Sequence, residues 1–286
     1  MWLTDMNYAR VLSVQDISCL GQCSMTVALP ILSACGLETC VLPTMVLSTH
    51  TGGLGIPVRR DLTDDIPLVA EHWLQQGMNF DCISVCYLGK ARQAHLVAEL
   101  SEKLLSPRGI LVVDPAMADH GKLYSGISPD CVEAMKLLCC RADVILPNLT
   151  EACLLAEVAY QDDWTKDQVS SLLALLEEKY GGTIVLTGVS FALDDTGFAL
   201  RCGGVDRFYQ CKRVGKSYHG TGDMFSAVLT GGMMQNMDIF DAAVLAAEFV
   251  ARAAEATFVN PAHSYGVKFE TVLPWLMETL KEKASG

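Results

Sequence analysis

The sequence lacks the patterns that mark three common classes of protein. Its twelve cysteines include no C-x-x-C pair, so their spacing favours buried, reduced thiols over zinc sites or disulfides. The net charge is −12 and the sequence contains no Lys/Arg-rich block, which argues against nucleic-acid and anionic-membrane partners. No G-x-G-x-x-G follows the first predicted strand, which argues against a Rossmann dinucleotide site.

Long apolar runs are also scarce. The longest uncharged stretch, residues 17–37, contains Gly21, Gln22 and Pro30, and it therefore predicts a buried helix and not a membrane span. Residues 1–5 lack a basic region followed by an apolar one. We therefore expect no secretory signal, no membrane association and a cytoplasmic location.

The chain does contain a regular alternation of apolar strands and helices. Predicted strands lie at 10–16, 38–48, 81–88, 109–115, 143–146 and 183–187. Helices fill the intervals, the first over 21–35, which predicts an α/β fold with a mostly parallel central sheet flanked by helices on both faces. Polar–apolar alternation over 191–214, broken at 194–197 and 203–204, predicts a small antiparallel hairpin region. With 286 residues, 51% of them hydrophobic, the chain fits a single domain, 1–286.

One short stretch, Gly220-Thr221-Gly222-Asp223, is followed by an apolar run, and together they predict a long helix that begins at Thr221. The glycines let backbone N–H groups point outward, and a helix N-terminus adds partial positive charge, so the stretch predicts a phosphate site. Asp223 has two interpretations. It is either a first-turn acid that stabilises the helix, or a general base that deprotonates an alcohol beside a phosphate.

Polar residues also lie at or shortly after the carboxyl ends of the predicted strands, where a parallel sheet binds its ligands. They are Asp16, Thr51, Tyr87, Asp114, Asp119, Asn148, Glu151 and Thr187. Carboxylate and amide oxygens suit Mg²⁺ that is held largely through water and substrate phosphates. The alternative for Asp114 and Asn148 is ordinary capping of a turn or helix. Together with the stretch 220–223, the pattern favours a site for metal and phosphate.

Several motifs give the sequence a family resemblance. They are Ser13-Val14-Gln15, Ser48-Thr49-His50-Thr51-Gly52, the run from Asp114 to Asp119 with Gly121-Lys122-Leu123-Tyr124, the run from Ala142 to Asn148 with Glu151, and Gly220-Thr221-Gly222-Asp223. With them the chain resembles the pyridoxal/pyridoxine (vitamin B6) kinases of the ribokinase-like superfamily over nearly its full length. Gly-Thr-Gly-Asp is typical of the superfamily, and Ser-x-His-Thr-Gly points to the B6 kinases.

The resemblance implies a homodimer that uses ATP to phosphorylate the 5′-hydroxymethyl group of pyridoxal, pyridoxine or pyridoxamine. By matching position, Asp223 would be the general base, and the amides of Gly220, Thr221 and Gly222 would cradle the phosphoryl group. ATP would be bound by Asn148, Thr187, Thr221 and Gly222. Mg²⁺ would be bound by Asp119 and Glu151, and a monovalent cation, K⁺ or Na⁺, by Asp114. The vitamer would be bound by Asp16, Met45, Leu47, Thr51, Tyr87 and Asp223, with Tyr124 as a cover.

Some positions depart from the family pattern. Asp16 stands where Ser is usual, so its carboxylate could prefer a protonated ring nitrogen or the amine of pyridoxamine. Leu146 stands where Thr is usual, which removes a hydroxyl from the nucleotide side. Met45 and Leu47 stand where bulkier aromatics can occur. The preferred vitamer is therefore open, and so are two alternatives: a hydroxymethylpyrimidine kinase of the same superfamily, and a non-catalytic B6- or ATP-binding protein.

Overall fold

The structure is a computed structural model that describes residues 8–215, 218–259, 263 and 265–284. Its strands are β1 Arg10–Ser18, β2 Glu38–Leu47, β3 Arg59–Asp61, β4 Phe80–Val85, β5 Leu105–Val113, β6 Ala118–Asp119, β7 Lys122–Leu123, β8 Val144–Ile145, β9 Thr183–Val189, β10 Asp195–Cys202 and β11 Val205–Lys212. Its helices are α1 Met25–Ala34, α2 Asp65–Gln75, α3 Ala91–Leu104, α4 Pro129–Cys139, α5 Leu149–Ala156, α6 Lys166–Tyr180, α7 Thr221–Met234, α8 Ile239–Phe258 and α9 Leu273–Ala284.

Nine of these strands form one sheet, in the order β11-β10-β9-β8-β5-β4-β1-β2-β3. The strands from β9 across to β2 pair in parallel. Strand β3 at one edge and strands β10 and β11 at the other are antiparallel. The predicted mostly parallel sheet with an antiparallel hairpin region is confirmed. The remaining strands, β6 and β7, form a separate two-stranded hairpin.

Both faces of the sheet are covered by helices, as predicted. Leu12 and Val14 of β1 pack into a core with helices α2 to α6, whereas Val11 packs into a second core with α1, α7, α8 and α9. Successive side chains of a strand point to opposite faces, so β1 is buried along nearly its whole length. Such a sheet leaves its carboxyl edge as the place for ligands.

The start of the first helix differs from the prediction. Helix α1 begins at Met25 and not at Gly21, because Gly21 and Ser24 have φ values of 106° and 53°, outside the helical region. Residues 21–24 form a turn instead, which we call the 21–24 turn. Strand β1 also continues to Ser18, so Asp16 lies within the strand and not after its end.

The hairpin region differs in detail as well. Of the two predicted breaks, 203–204 is the turn between β10 and β11, but residues 195–197 belong to β10. The sequence pattern missed β3, β6 and β7, since strands of two or three residues are too short to show alternation.

The apolar stretch 17–37 is divided among the end of β1, the 21–24 turn and helix α1. Within the described ranges, no helix is long and apolar enough to cross a membrane. All twelve cysteines are free thiols, and seven of them are buried.

Candidate active site

The N-terminus of α7 forms the centre of the site. Gly220 is the N-cap residue with a φ of 84°, a conformation that favours glycine. A Cβ at this position would lie 1.9 Å from the carbonyl oxygen of Gln22, so the 21–24 turn packs directly against it. The helix begins at Thr221 as predicted. Its first-turn amides have no acceptor within the helix by geometry, and they are therefore available to an anion.

Asp223 lies in the first turn of α7 and is held by the 21–24 turn. The backbone N–H of Ser24 donates to Asp223 Oδ2 at 2.9 Å. Burial raises the pKa of Asp223 to about 7; the Ser24 amide lowers this pKa and the charge of Asp16 raises it. A carboxyl group with a pKa near neutrality can accept and release a proton at physiological pH, as a general base must.

Asp16 lies beside this carboxyl group and is only 1% exposed. The Ser18 hydroxyl donates to Asp16 Oδ2 at 2.9 Å. Burial raises the pKa of Asp16, whereas hydrogen bonds from the hydroxyls of Ser24 and Ser18 lower it. The charge of Asp16 in turn acts on the pKa of Asp223. The structure therefore brings the departure from the family pattern next to the predicted base.

Asp114 approaches the same helix terminus from the end of β5. A Cβ on Gly222 would lie 4.0 Å from Asp114 Oδ2. Burial raises the pKa of Asp114 well above its usual value, and the charges of Glu151 and Asp223 raise it further. Carboxyl groups that repel one another in this way mark a place where a cation would be stabilised.

Asn148 and Glu151 form a capping box at the start of α5. Asn148 Oδ1 accepts the N–H groups of Thr150 and Glu151 at 2.9 and 3.0 Å, and Glu151 Oε2 accepts the N–H of Asn148 at 2.9 Å. Glu151 Oε1 accepts the N–H groups of Met117 and Ala118 at 3.0 and 3.3 Å. Burial raises the pKa of Glu151 to about 8, although the amides lower it. The capping interpretation of Asn148 is confirmed, and its contact with ATP stays a prediction.

Two further predicted residues lie next to this cap. Thr187 in β9 forms a parallel bridge with Asn148, and its hydroxyl donates to the Pro147 carbonyl at 3.4 Å. Asp119 in β6 accepts the N–H of His120 at 2.8 Å, and its charge raises the pKa of Glu151. The structure therefore brings the predicted nucleotide and metal residues to one edge of the sheet.

The donor set does not form a metal cage by itself. In the part of the chain that the structure describes, no three His, Cys, Asp or Glu side chains are close enough to hold a metal ion between them. Both oxygens of Glu151 already accept backbone N–H groups. The residues fit a Mg²⁺ ion that takes most of its ligands from water and phosphate.

The loop after β2 reaches the α7 terminus through two histidines. Gly52 donates its N–H to His50 Nδ1 at 3.0 Å, and His50 Nε2 lies 3.1 Å from the carbonyl oxygen of Tyr265, so the neutral ring carries its proton on Nε2. Its centroid is 4.9 Å from that of the His219 ring. A Cβ on Gly52 would lie 2.4 Å from His219 Cε1. Thr51, between His50 and Gly52, is partly exposed, and its contact with a substrate ring stays a prediction.

Tyr87 and Met45 form an apolar wall beside Asp16. A Cβ on Gly89 would lie 3.0 Å from Met45 Cε and 3.6 Å from the Tyr87 hydroxyl, so these side chains converge. Burial raises the pKa of Tyr87, and the charge of Asp16 adds to this effect. Leu47, two residues after Met45 in β2, is 2% exposed on the same face. The predicted contacts of this wall with a substrate ring stay predictions.

Tyr124, in the segment after β7, lies near the carboxyl groups of the site. Its N–H donates to the carbonyl of Met117 at 2.9 Å, and the residue is 36% exposed. Burial raises the pKa of Tyr124, and nearby carboxylates add to the effect; they are Glu151, Asp119, Asp114 and Asp223. This placement suits the predicted covering role.

Sequence reasoning missed three residues of the site. Ser24 contributes a backbone amide, for which no side-chain pattern exists. Arg59 in β3 acts on the pKa of Tyr87, and its Nη1 lies 3.2 Å from the position of a Cβ on Gly126. For His219, the sequence signal that could have indicated a place in the site is its position directly before the Gly-Thr-Gly-Asp stretch.

Comparisons with known proteins agree with this geometry. A pyridoxal kinase from Lactobacillus plantarum is 31% identical, with a TM-score of 0.88, over 96% of this chain and 98% of that one. A candidate phosphomethylpyrimidine kinase from Bacteroides thetaiotaomicron, crystallised with pyridoxal, is 34% identical, with a TM-score of 0.90, over 94% of this chain and 96% of that one. The pyridoxal kinase PdxY of Vibrio campbellii is 27% identical over 237 residues, which are 79% of this chain and 80% of that protein.

The family model for phosphomethylpyrimidine kinase matches residues 70–267, which is more than half of the chain. That segment includes the converging carboxyl groups, the capping box of α5 and the N-terminus of α7. The chain therefore belongs to the family of phosphomethylpyrimidine and pyridoxal kinases within the ribokinase-like superfamily, as its motifs predicted.

Proposed function

We propose that the protein transfers the γ-phosphoryl group of ATP to the 5′-hydroxymethyl group of a B6 vitamer: pyridoxal, pyridoxine or pyridoxamine. The observation that carries the proposal is the Asp223 carboxyl group at the N-terminus of α7. Ser24 occupies one of its oxygens, so the other is available to accept the proton of the attacking hydroxyl. The amides of Gly220, Thr221 and Gly222 stabilise the charge on the transferring group.

The relatives support the acceptor. The Lactobacillus plantarum protein is a pyridoxal kinase, and the Bacteroides thetaiotaomicron protein was crystallised with pyridoxal. Both share more than 30% identity with this chain over most of its length. On this basis we treat residues 1–286 as one kinase domain, and we expect a cytoplasmic homodimer.

On the nucleotide side, Asn148 and Thr187 would contact the ATP phosphates from the α5 cap. Asp119 and Glu151 would hold Mg²⁺ through water, and Asp114 would lie beside a monovalent cation. When bound, these cations would neutralise phosphate charge and favour in-line transfer. The positive charge of the bound cations would then offset the repulsion between the buried carboxylates, which lowers the pKa values of these groups.

On the acceptor side, Tyr87 would stack on the pyridine ring between Met45 and Leu47. Thr51 would donate or accept a hydrogen bond at a ring substituent, and Tyr124 would exclude water from the reacting atoms. The Asp16 carboxylate favours a cationic group on the acceptor, which is either a protonated ring nitrogen or the amine of pyridoxamine.

A hydroxymethylpyrimidine kinase is the second candidate, because the matching family model carries the phosphomethylpyrimidine kinase description. Both acceptors present a hydroxymethyl group on a nitrogen-containing aromatic ring. The same base and anion site would serve either one, so only the wall around the ring distinguishes them.

A substrate panel tests the proposal. Pyridoxal, pyridoxine, pyridoxamine and hydroxymethylpyrimidine are each incubated with Mg-ATP in a coupled ADP-release assay. We expect at least one B6 vitamer to exceed hydroxymethylpyrimidine in kcat/KM by about tenfold or more. A reversed order supports the second candidate, and ADP release with none of the four acceptors contradicts both.

The same panel on Asp16→Ser tests acceptor selection. Removing the carboxylate should lower the ratio of pyridoxamine to pyridoxine kcat/KM by about 10-fold, the size expected for loss of a charged hydrogen bond. An unchanged ratio across the panel would exclude Asp16 as the selecting residue.

A further inference from the structure

Ser24 lies close to both carboxyl groups of the acceptor side. Its backbone N–H donates to Asp223 Oδ2 at 2.9 Å. Its hydroxyl favours the charged form of Asp16 and so lowers the pKa of that carboxyl group. Asp16 belongs to β1 and Asp223 to α7, so Ser24 lies where this strand and this helix approach each other.

The backbone of Ser24 is held in a conformation that serine rarely adopts. Its φ of 53° and ψ of −135° resemble the first central position of a type II′ turn, which glycine usually occupies. Non-glycine residues in such regions cluster at functional sites, because the surrounding structure must hold them there. In this conformation the Ser24 N–H points at Asp223 and not into helix α1.

Contacts on both sides hold the 21–24 turn in place. The carbonyl oxygen of Gln22 packs against Gly220, where a Cβ would come within 1.9 Å. The Gln22 side chain donates to Glu270 at 2.8 and 2.9 Å, and its Oε1 lies 2.8 Å from His263 Nε2. The turn is therefore fixed relative to α7 by its own backbone and relative to the C-terminal segment by a side chain.

We propose that Ser24 is a positioning residue for phosphoryl transfer: its amide orients the Asp223 carboxylate. This inference rests on the proposed function, since it assigns Asp223 the role of base. One Asp223 oxygen is held by the amide, so the other has a defined direction toward the acceptor hydroxyl. A small displacement of that oxygen would leave binding intact and slow the transfer.

The test removes the amide hydrogen without changing the side chain. Ser24→Ala is compared with a protein that carries lactic acid at position 24, in which an ester replaces the Cys23–Ser24 amide and the N–H donor is lost. We expect kcat with the best acceptor of the panel to fall about 10- to 100-fold in the ester protein relative to Ser24→Ala. The KM for ATP should stay within about twofold, since the α5 cap is untouched.

Two further variants keep the test decisive if the ester protein does not fold. Ser24→Gly retains the N–H and suits a φ of 53°, so its kcat should stay within about threefold of wild type. Its pyridoxamine-to-pyridoxine ratio should shift, because loss of the Ser24 hydroxyl makes the charged form of Asp16 less favourable. Ser33→Ala is the matched control: Ser33 is an exposed serine near the other end of α1, and neither parameter should change.

Two results would overturn the assignment. Equal kcat values for the ester protein and Ser24→Ala would show that the amide does not position the base. A kcat loss in Ser24→Gly as large as that expected for the ester would show the same, because glycine keeps the donor. If wild type itself phosphorylates none of the panel acceptors, the proposed function fails, which is a distinct result from either of these.

Discussion

The two sides of the site are built from contacts of very different range. On the α5 side, Asn148 and Glu151 are three positions apart and each accepts the other's backbone N–H. On the α7 side, Asp223 accepts an N–H from Ser24, 199 positions earlier in the chain. The capping box of α5 is therefore specified by neighbouring residues, and its longest contacts reach Met117 and Ala118, 34 and 33 positions earlier. The α7 side exists only when segments about 200 positions apart have come together.

The charges on the two sides differ accordingly. Glu151 accepts three backbone N–H groups and is 2% exposed, and burial still raises its pKa to about 8. Asp223 accepts one N–H and is partly exposed, with its pKa raised to about 7. Both oxygens of Glu151 accept backbone N–H groups, whereas the N–H of Ser24 engages a single oxygen of Asp223, Oδ2. In the proposed function the α5 side supports the site and the α7 side carries the base.

Replacing the base should give the largest effect. In Asp223→Asn the amide cannot accept the hydroxyl proton, and we expect kcat to fall about 10²- to 10⁴-fold. Turnover is measured by ADP release with the best vitamer. Asp241→Asn is the control, since Asp241 is the exposed first-turn acid of α8. Near-normal turnover of Asp223→Asn would show that Asp223 only stabilises the helix. The proposed difference between a supporting α5 side and a reactive α7 side would then be wrong.

A change at Gly220 should disturb the α7 side through its long-range contact. In Gly220→Ala the added Cβ meets the Gln22 carbonyl oxygen, at a φ of 84°. Strain of this kind costs about 1–3 kcal/mol, and displacement of the base should lower kcat about 10- to 100-fold. Gly77→Ala is the control, because Gly77 has a φ of 68° with no atom near the added Cβ. A loss of Tm should occur in both variants, and a loss of kcat only in Gly220→Ala.

The pH dependence should separate reactivity from stability at Asp223. If Asp223 is the base, turnover requires its ionised carboxylate, so kcat/KM, which reports the free protein, should fall about tenfold for each pH unit below the pKa of about 7. The folded-state pKa lies above the ordinary value of 3.8, so the folded protein binds more protons between these pH values. This carboxyl group's contribution to stability is therefore present at pH 4 and lost as the pH rises through 7. A kcat/KM that stays flat down to pH 5 would contradict the assignment.

The smallest effect should come from the α5 cap, which has a twin elsewhere in the chain. Thr165 and Gln168 form a second capping box on α6. Asn148→Ala and Thr165→Ala should each lower the free energy of unfolding by about 0.5–2 kcal/mol. Only Asn148→Ala should raise the KM for ATP, because only that cap lies in the site. If the two variants behave alike in both measurements, Asn148 acts solely as a cap.

The sequence predicted local features well. The alternation of strands and helices that predicted the parallel sheet, and the helix start at Thr221, are read from residues within a few positions of one another, where spacing carries the information. The cap at Asn148 was one of two interpretations that the same local signal left open. The 21–24 turn was predicted as helix, because its apolar neighbours have helical spacing and Ser24 gives no sign of its positive φ. Asp16 was predicted at a strand end, because a charged residue normally ends the apolar pattern of a buried strand. Nothing in the neighbouring sequence indicates that β1 continues to Ser18.

The contacts of Ser24, Gly220 and His219 could not be predicted for another reason. They are contacts of backbone atoms or rings between segments about 200 positions apart, such as Ser24 and Asp223. Their energies depend on tertiary packing and not on which residues are neighbours in sequence. A resemblance to a family supplied the role of Asp223 but not the group that holds it.

The separation between Ser24 and Asp223 also sets an order of events on the ribosome. The strand β1 and its partners β2 and β4 are all made before residue 86, so this half of the sheet can assemble early in synthesis. The bond from Ser24 to Asp223 must wait for 199 further residues, or roughly 10–40 s at about 5–20 residues per second. The acceptor side of the site is therefore among the last features of the nascent chain to form, and a truncated product that ends before α7 would have a sheet without a base.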